Sequence, residues 1–199
     1  PMGLAVHPAV PANNVKELIA LAKANPGALN MASFGTGSVS HLAGELFGSM
    51  AGVKFTHVPY KGAAPATADL MAGQVTFMFN SISVFVAPAK AGKLRMLATA
   101  GAERSPGLPD LPTVAESGVP GFEATTWHAL LGPAGLSPEV VATLSREFGR
   151  ALQLPDVREK LASMSLEPQT ATPGPLAATL ARDVAKWKRI VAETGIKLD

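Results

Sequence analysis

The stretch Asn30–Phe47, N-M-A-S-F-G-T-G-S-V-S-H-L-A-G-E-L-F, concentrates hydrogen-bonding groups in a few residues. Ser33, Thr36, Ser38 and Ser40 bring hydroxyls and His41 an imidazole. Gly35 and Gly37 let the backbone turn and approach a ligand closely. The loop runs directly into a helical pattern, so unpaired N–H groups and the positive end of a helix dipole lie at its end. Donors of this kind suit an anion with oxygen acceptors. Two further segments have the same character. Tyr60-Lys61-Gly62 follows an alternating run and brings a cation, and Asn80-Ser81 follows the apolar run V-T-F-M-F.

The spacing narrows the anion. A phosphate-binding P-loop needs G-x-x-x-x-G-K, and no lysine follows Gly37. A dinucleotide fingerprint needs glycine at position 40, which is Ser40, and an acid at the end of the next strand, where His57 and Tyr60 stand instead. A small carboxylate fits hydroxyls and amides better. The same residues would also serve a loop that merely joins strand to helix, and His41 would then be an ordinary packed histidine. Lys61 and Tyr60 would equally suit a solvated turn.

Signals for catalysis are weak. There is no cysteine, which excludes thiol catalysis, disulfides and thiolate metal sites. No G-x-S-x-G elbow occurs, and His7, His41, His57 and His128 lack metal-ligand spacing. Glu45 and Asp69 do not form a carboxylate pair for acid–base work. Donors without a proton shuttle point to a binding site with no catalytic residue, metal or cofactor. Trp127 and His128 are placed in an extended stretch, where the indole would line either a core or a cleft.

The elements that must position these residues alternate. Strands are expected at Gly3–His7, Leu29–Ala32, Lys54–Pro59, Gln74–Phe79 and Leu94–Ala98. Helices are expected at Val15–Ala24, from Ser38 to Gly52, at Pro65–Ala72 and at Ile82–Ala91. This order implies an α/β fold, a doubly wound parallel sheet with helices on both faces. Ligands of such sheets lie beyond the carboxyl ends of the strands, where all three polar loops fall. Gly101–Gly121 reads as a Pro/Gly-rich linker with a short helix at Thr113–Ser117, and Phe122–Leu131 as an extended strand. Helices then follow at Pro138–Leu152, Pro155–Met164 and Pro173–Thr194.

The 199 residues are 47% hydrophobic and 16% charged, ample for a packed core. A net charge of +2 without a basic stripe argues against a nucleic-acid partner. No apolar run is long enough to span a membrane, and the first residues show no secretory signal. Met2–His7 reads as a strand without preamble, as though cut from something longer.

The segments H-P-A-V-P-A, K-E-L-I-A-L-A-K-A-N-P-G, S-F-G-T-G-S-V-S-H-L-A-G-E-L-F, H-V-P-Y-K-G-A-A-P-A and L-P-D-L-P-T-V-A-E-S-G together resemble the Bug family. These are extracytoplasmic solute receptors of tripartite tricarboxylate transporters. The resemblance implies a periplasmic-binding-protein-like, Venus-flytrap fold. It implies a periplasmic receptor that captures a small carboxylate (an amino acid, a di- or tricarboxylate, or an aromatic acid) for a membrane permease. Residues 1–122 resemble the second lobe with its hinge strands, and residues 123–199 the returning part of an incomplete first lobe. Ser33–His41 correspond to that lobe's ligand loop and Asn80 to a strand-end position of the site. Members of the family are longer at the front. The helices after residue 137 are therefore expected to expose apolar faces and to favour self-association, and binding is expected to be weak. Two other readings stay open: a nucleotide- or phosphate-binding enzyme, and a sensor that reports ligand state to a partner protein.

Overall fold

The computed structural model describes residues 2–164, 166–169 and 172–196. The expected 1–122 and 123–199 spans therefore each include positions outside the described residues. Two compact units are present, Pro1–Thr126 with Arg189–Asp199, and Trp127–Lys188.

The first unit is built on one five-stranded sheet. Its strands are β1 (Met2–Val6), β2 (Asn30–Ser33), β3 (Thr56–Pro59), β4 (Phe77–Ser81) and β5 (Arg95–Thr99), in the order β3-β2-β4-β1-β5. Four helices connect them: α1 (Val15–Ala24), α2 (Val39–Ala51), α3 (Ala63–Met71) and α4 (Ile82–Lys90). Polar residues at the helix starts explain where they begin. Asn14 caps α1 by accepting from the Glu17 N–H, while the Glu17 carboxylate accepts from the Asn13 N–H. Ser38 caps α2, which ends at Gly52 in the left-handed conformation that glycine adopts without penalty.

The expectation of a wholly parallel sheet is corrected. Strand β2 runs parallel to β3 and β4, but β1 lies antiparallel between β4 and β5. The sequence pattern carries no sign of this. All five β1 residues are buried, so M-G-L-A-V has the continuous apolar character of any central strand. Direction is set by pairing, with Met2 opposite Ser81 and Gly3 opposite Thr99. The start of β1 and the end of β5 thus lie at the same edge as the carboxyl ends of β2, β3 and β4.

Packing occupies both faces. On one, Ala5, Ala32 and Met78 meet Ala66, Leu70 and Phe85 from α3 and α4. On the other, Phe47 of α2 makes edge contacts with Phe77 and Phe122 at 6.3 and 6.2 Å between ring centres. Phe79 stacks on Phe122 at 5.7 Å. Helix α2 lies so close to β2 that a Cβ on Gly44 would fall 1.8 Å from the Met31 sulfur.

Two local expectations also change. Thr113–Ser117 is a single turn, fixed by the Thr113 hydroxyl accepting from the Glu116 N–H while the Glu116 carboxylate accepts from the Thr113 N–H. Phe122–Leu131 forms no strand. The Ala124 N–H donates to the Ala100 carbonyl and the Phe122 N–H to the nearby Val119 carbonyl, too little to make a ladder.

The second unit contains α5 (Pro138–Ala151), α6 (Pro155–Ser163) and most of α7 (Pro173–Thr194), with no strand among its described residues. Ser137 caps α5 through the Val140 N–H. Neither α5 nor α6 buries a single residue. In this unit the Trp127 indole N–H donates to the buried Asp183 carboxylate at 2.8 Å. Burial tends to raise that carboxyl, but the indole, Lys186 and Arg182 outweigh it and hold it below the usual carboxylate range.

Candidate functional site

The three polar loops leave neighbouring parallel strands at one edge of the sheet. From β2 the chain passes through Phe34–Ser38 into α2, from β3 through Tyr60–Gly62 into α3, and from β4 directly into α4 at Ser81. Three helix N-termini therefore end at the same edge. The first amides of each helix have no carbonyl a turn earlier to bond. The dipoles add partial positive charge there. Gly62 and Ser81 cap α3 and α4 without a side-chain hydrogen bond, which leaves those amides uncovered by the chain's own side chains.

The loops are stitched together. The Tyr60 N–H donates to the Ser33 carbonyl and the Gly62 N–H to the Phe34 carbonyl. Gly35 approaches the Tyr60 carbonyl so closely that a Cβ would lie 3.4 Å from it, and both Gly35 and Gly37 have positive φ, 135° and 74°. Thr36 is exposed at the tip. Ser38 donates to the Gly35 carbonyl at 2.7 Å. Lys61 is exposed at the same edge.

Several residues expected to reach a ligand turn inward instead. Ser40 is fully buried and donates to the Phe79 carbonyl, pinning α2 to β4. Ser33 is also fully buried, and its hydroxyl accepts from the Gly35 N–H at 3.1 Å. His41 is buried with both ring nitrogens engaged: Nδ1 accepts from the Gly37 N–H at 3.1 Å and Nε2 lies 3.4 Å from Glu45. Asn80 donates to the Thr67 hydroxyl and accepts from the Ser81 N–H at 2.7 Å, shaping the start of α4. The Tyr60 hydroxyl donates to Asp69 at 2.7 Å. Burial, reinforced by that carboxylate, pushes the phenol up to about 12. Thr36 and Lys61 are exposed at this edge, while the Gly35, Gly37 and Ser38 N–H groups of the loop are taken by Ser33 Oγ, His41 Nδ1 and the Gly35 carbonyl.

His57, Thr67 and Asp69 belong to this constellation and were not singled out from sequence. His57 stacks on His41 with ring centres 3.6 Å apart and planes 6° from parallel. Its Nε2 lies 2.6 Å from the Ser33 hydroxyl. Burial and then the neighbouring His41 lower His57 to about 4. Phe55, just before β3, and His57 within it alternate onto one face, and Phe55 packs beside Gly48 of α2, so the signal for the His41 contact was present in the period.

Among the described residues no cluster of His, Asp and Glu is arranged to hold a metal ion. No helix among them is long and apolar enough to cross a membrane.

An α/β unit with donors gathered at the carboxyl edge of parallel strands is the architecture of a periplasmic-type binding protein lobe. The chain belongs to the tripartite tricarboxylate transporter receptor family, TctC, which it matches over residues 1–196. The family is one of solute-binding receptors rather than enzymes. The protein BugT of Bordetella pertussis is 35% identical over 198 residues, covering 100% of this chain and 61% of BugT. The R. palustris protein Rpa4515, solved with adipate, is 34% identical with a TM-score of 0.85, covering 98% of this chain and 66% of the other. MatC from Rhodopseudomonas palustris, solved with bound malate, is 33% identical with a TM-score of 0.79, covering 96% of this chain and 66% of MatC. The chain thus spans roughly three-fifths to two-thirds of the length of these relatives.

Proposed function

We propose that this chain is part of an extracytoplasmic receptor that captures a small organic carboxylate for a tripartite transporter, acting in the periplasm. The observation that carries this reading is the meeting of three helix N-termini at one sheet edge. Family membership and the similarity to proteins solved with adipate and with malate support it. The carboxylate lies against Thr36 at the tip of the Gly35–Ser38 loop and the first turns of α2, α3 and α4, with Lys61 as the nearest cation. Ser33, Ser40, His41 and Asn80 position the edge from inside, and Tyr60 braces the second loop. Residues 1–122 act as one lobe with its hinge strands, and residues 123–199 as the returning part of the other. The membrane permease subunits are the downstream partner.

A melting-temperature screen against dicarboxylates, tricarboxylates, amino acids and aromatic acids tests the class. A ligand at one hundred times its dissociation constant adds about 2.7 kcal/mol of stability. Stabilisation by one group of carboxylates, with none by nucleotides, supports the reading. Stabilisation by nucleotides alone would favour a phosphate-binding enzyme.

A further inference from the structure

The stacked histidines lie outside the proposed carboxylate contacts but reach the loop at two points. His41 Nδ1 takes the Gly37 N–H, and His57 Nε2 meets the Ser33 hydroxyl, which in turn takes the Gly35 N–H. Gly35 and Gly37 are the two positive-φ residues that give the loop its shape. The His41 tether depends on proton placement, whereas the Gly35 N–H keeps its Ser33 acceptor in either state of His57. Accepting from Gly37 requires Nδ1 of His41 to carry no proton, which puts the proton on Nε2, towards Glu45. A second proton on His41 would set two N–H donors against each other across that 3.1 Å contact.

His57 acts through one hydroxyl hydrogen. When its Nε2 is unprotonated, Ser33 donates to it. When Nε2 carries a proton, the Ser33 hydrogen turns to its other acceptor, the Gly35 carbonyl at 3.1 Å. The rings are 3.6 Å apart, so a charge on one opposes a charge on the other. Glu45 from α2 is the charged group acting on the pair, and Ser33 from β2 and Gly37 from the loop face it as hydrogen-bonding groups.

We propose that His41, backed by the stacked His57, is a positioning residue for the carboxylate loop: with Nδ1 unprotonated it holds Gly37 in the turn that presents Thr36 and the first amides of α2, and protonation of His41 releases that turn and weakens anion binding. The proposal rests on the reading of this loop as the carboxylate site. Acid would otherwise be expected to strengthen anion binding by adding positive charge nearby, so the predicted sign is opposite to simple electrostatics.

The test is an NMR titration of the ¹⁵N-labelled chain without ligand, from pH 8 to pH 4, following the Gly35 and Gly37 amides with Phe79 as a reporter of the intact sheet. His41→Asn keeps an oxygen acceptor near the Nδ1 position and cannot be protonated. His57→Gln does the same near Nε2. The expected result is an upfield shift of the Gly37 amide proton in acid while Phe79 holds still, with that shift absent in His41→Asn. A Gly37 amide that stays put in the natural protein, or titrates equally in His41→Asn, overturns the proposal. If His41→Asn does not fold, the ring ¹⁵N shifts of His41 in the natural protein decide: a Gly37 amide whose shift does not follow the protonation of that ring overturns the proposal.

Malate is then added to the natural protein and to the variant at pH 7.5 and pH 5.5. The ratio of their dissociation constants cancels the ligand's own protonation and is expected to rise severalfold in acid; a constant ratio contradicts the proposal. Malate that moves no amide between residues 36 and 40 at either pH defeats the reading of the loop as a carboxylate site. The ligand-free Gly37 titration still decides the histidine device by itself.

Discussion

Phe47 and Phe148 both lie on the apolar side of an amphipathic helix, yet Phe47 is 1% exposed and Phe148 is 44% exposed. The helix around Phe47 rests on a sheet, where Phe77, Phe79 and Phe122 surround the ring. The helix around Phe148 keeps Val140 and Leu144 exposed beside it. Separately, Leu136, Pro138, Val141 and Ala142, with Ser145, Arg146, Thr172 and Pro173, line an open, largely apolar groove of about 760 Å³ in the second unit. Amphipathic periodicity therefore identifies which face of a helix seeks cover, not whether cover is present. The two units also differ in chemistry. The first sets polar groups at a sheet edge on a rigid apolar base, whereas the second has one buried carboxylate tied to an indole.

The largest expected effect comes from the aromatic base. Phe47→Ala is expected to cost about 3–5 kcal/mol in urea unfolding of the first unit, because a fully packed ring leaves a cavity. A loss no larger than that from an exposed residue would break the contrast. In the second unit, Trp127→Phe removes the N–H that Asp183 accepts. It is expected to cost about 1–2 kcal/mol, read as faster hydrogen exchange in α7 around Asp183 while β1 and β4 keep their protection.

A smaller effect follows from His57. Its folded pKa of about 4 lies below the ordinary 6.5, so between those values the unfolded chain binds the extra proton. The contribution is complete above about pH 6.5 and is lost as pH falls towards 4. Solvent at the ring's exposed edge limits it to roughly 1–2 kcal/mol. Urea midpoints at pH 7 and pH 4.5 check this, and His57→Gln should reduce the difference. The smallest change in stability, under about 1 kcal/mol, is expected for Phe148→Ala. Its effect should appear instead in sedimentation velocity, as weaker concentration-dependent association. A natural protein that stays monomeric at high concentration would remove the role assigned to the apolar face.

Much of this fold is legible in the residues. Asn14, Val15 and the N-P-G after Ala24 bound α1 where it occurs, and Pro173–Thr194 matches α7. Caps and breakers act locally, so local sequence reveals them. Strand β4 begins at Phe77 rather than Gln74, and β1 runs against its neighbours, because pairing partners far along the chain decide both. The polar loops were legible as a group, and their side-chain directions were not. Ser33 and Thr36 look alike as hydroxyl residues, but one is buried beneath Gly35 and the other lies at the tip. His57 was not assigned to the site because a lone strand histidine gains meaning only when α2 lays His41 across it.

The carboxyl edge of the sheet is proposed as a carboxylate-binding face. The most direct measurement is a ¹H–¹⁵N titration of the chain with adipate and with malate at pH 7.5. Saturable shifts confined to the amides of Gly35–Ser40, Lys61–Ala64 and Ser81–Ser83 are expected. Their dissociation constant should be in the millimolar range, about −4 kcal/mol of binding free energy. Shifts centred on the second unit's groove, or no saturable shift at that edge, would contradict it.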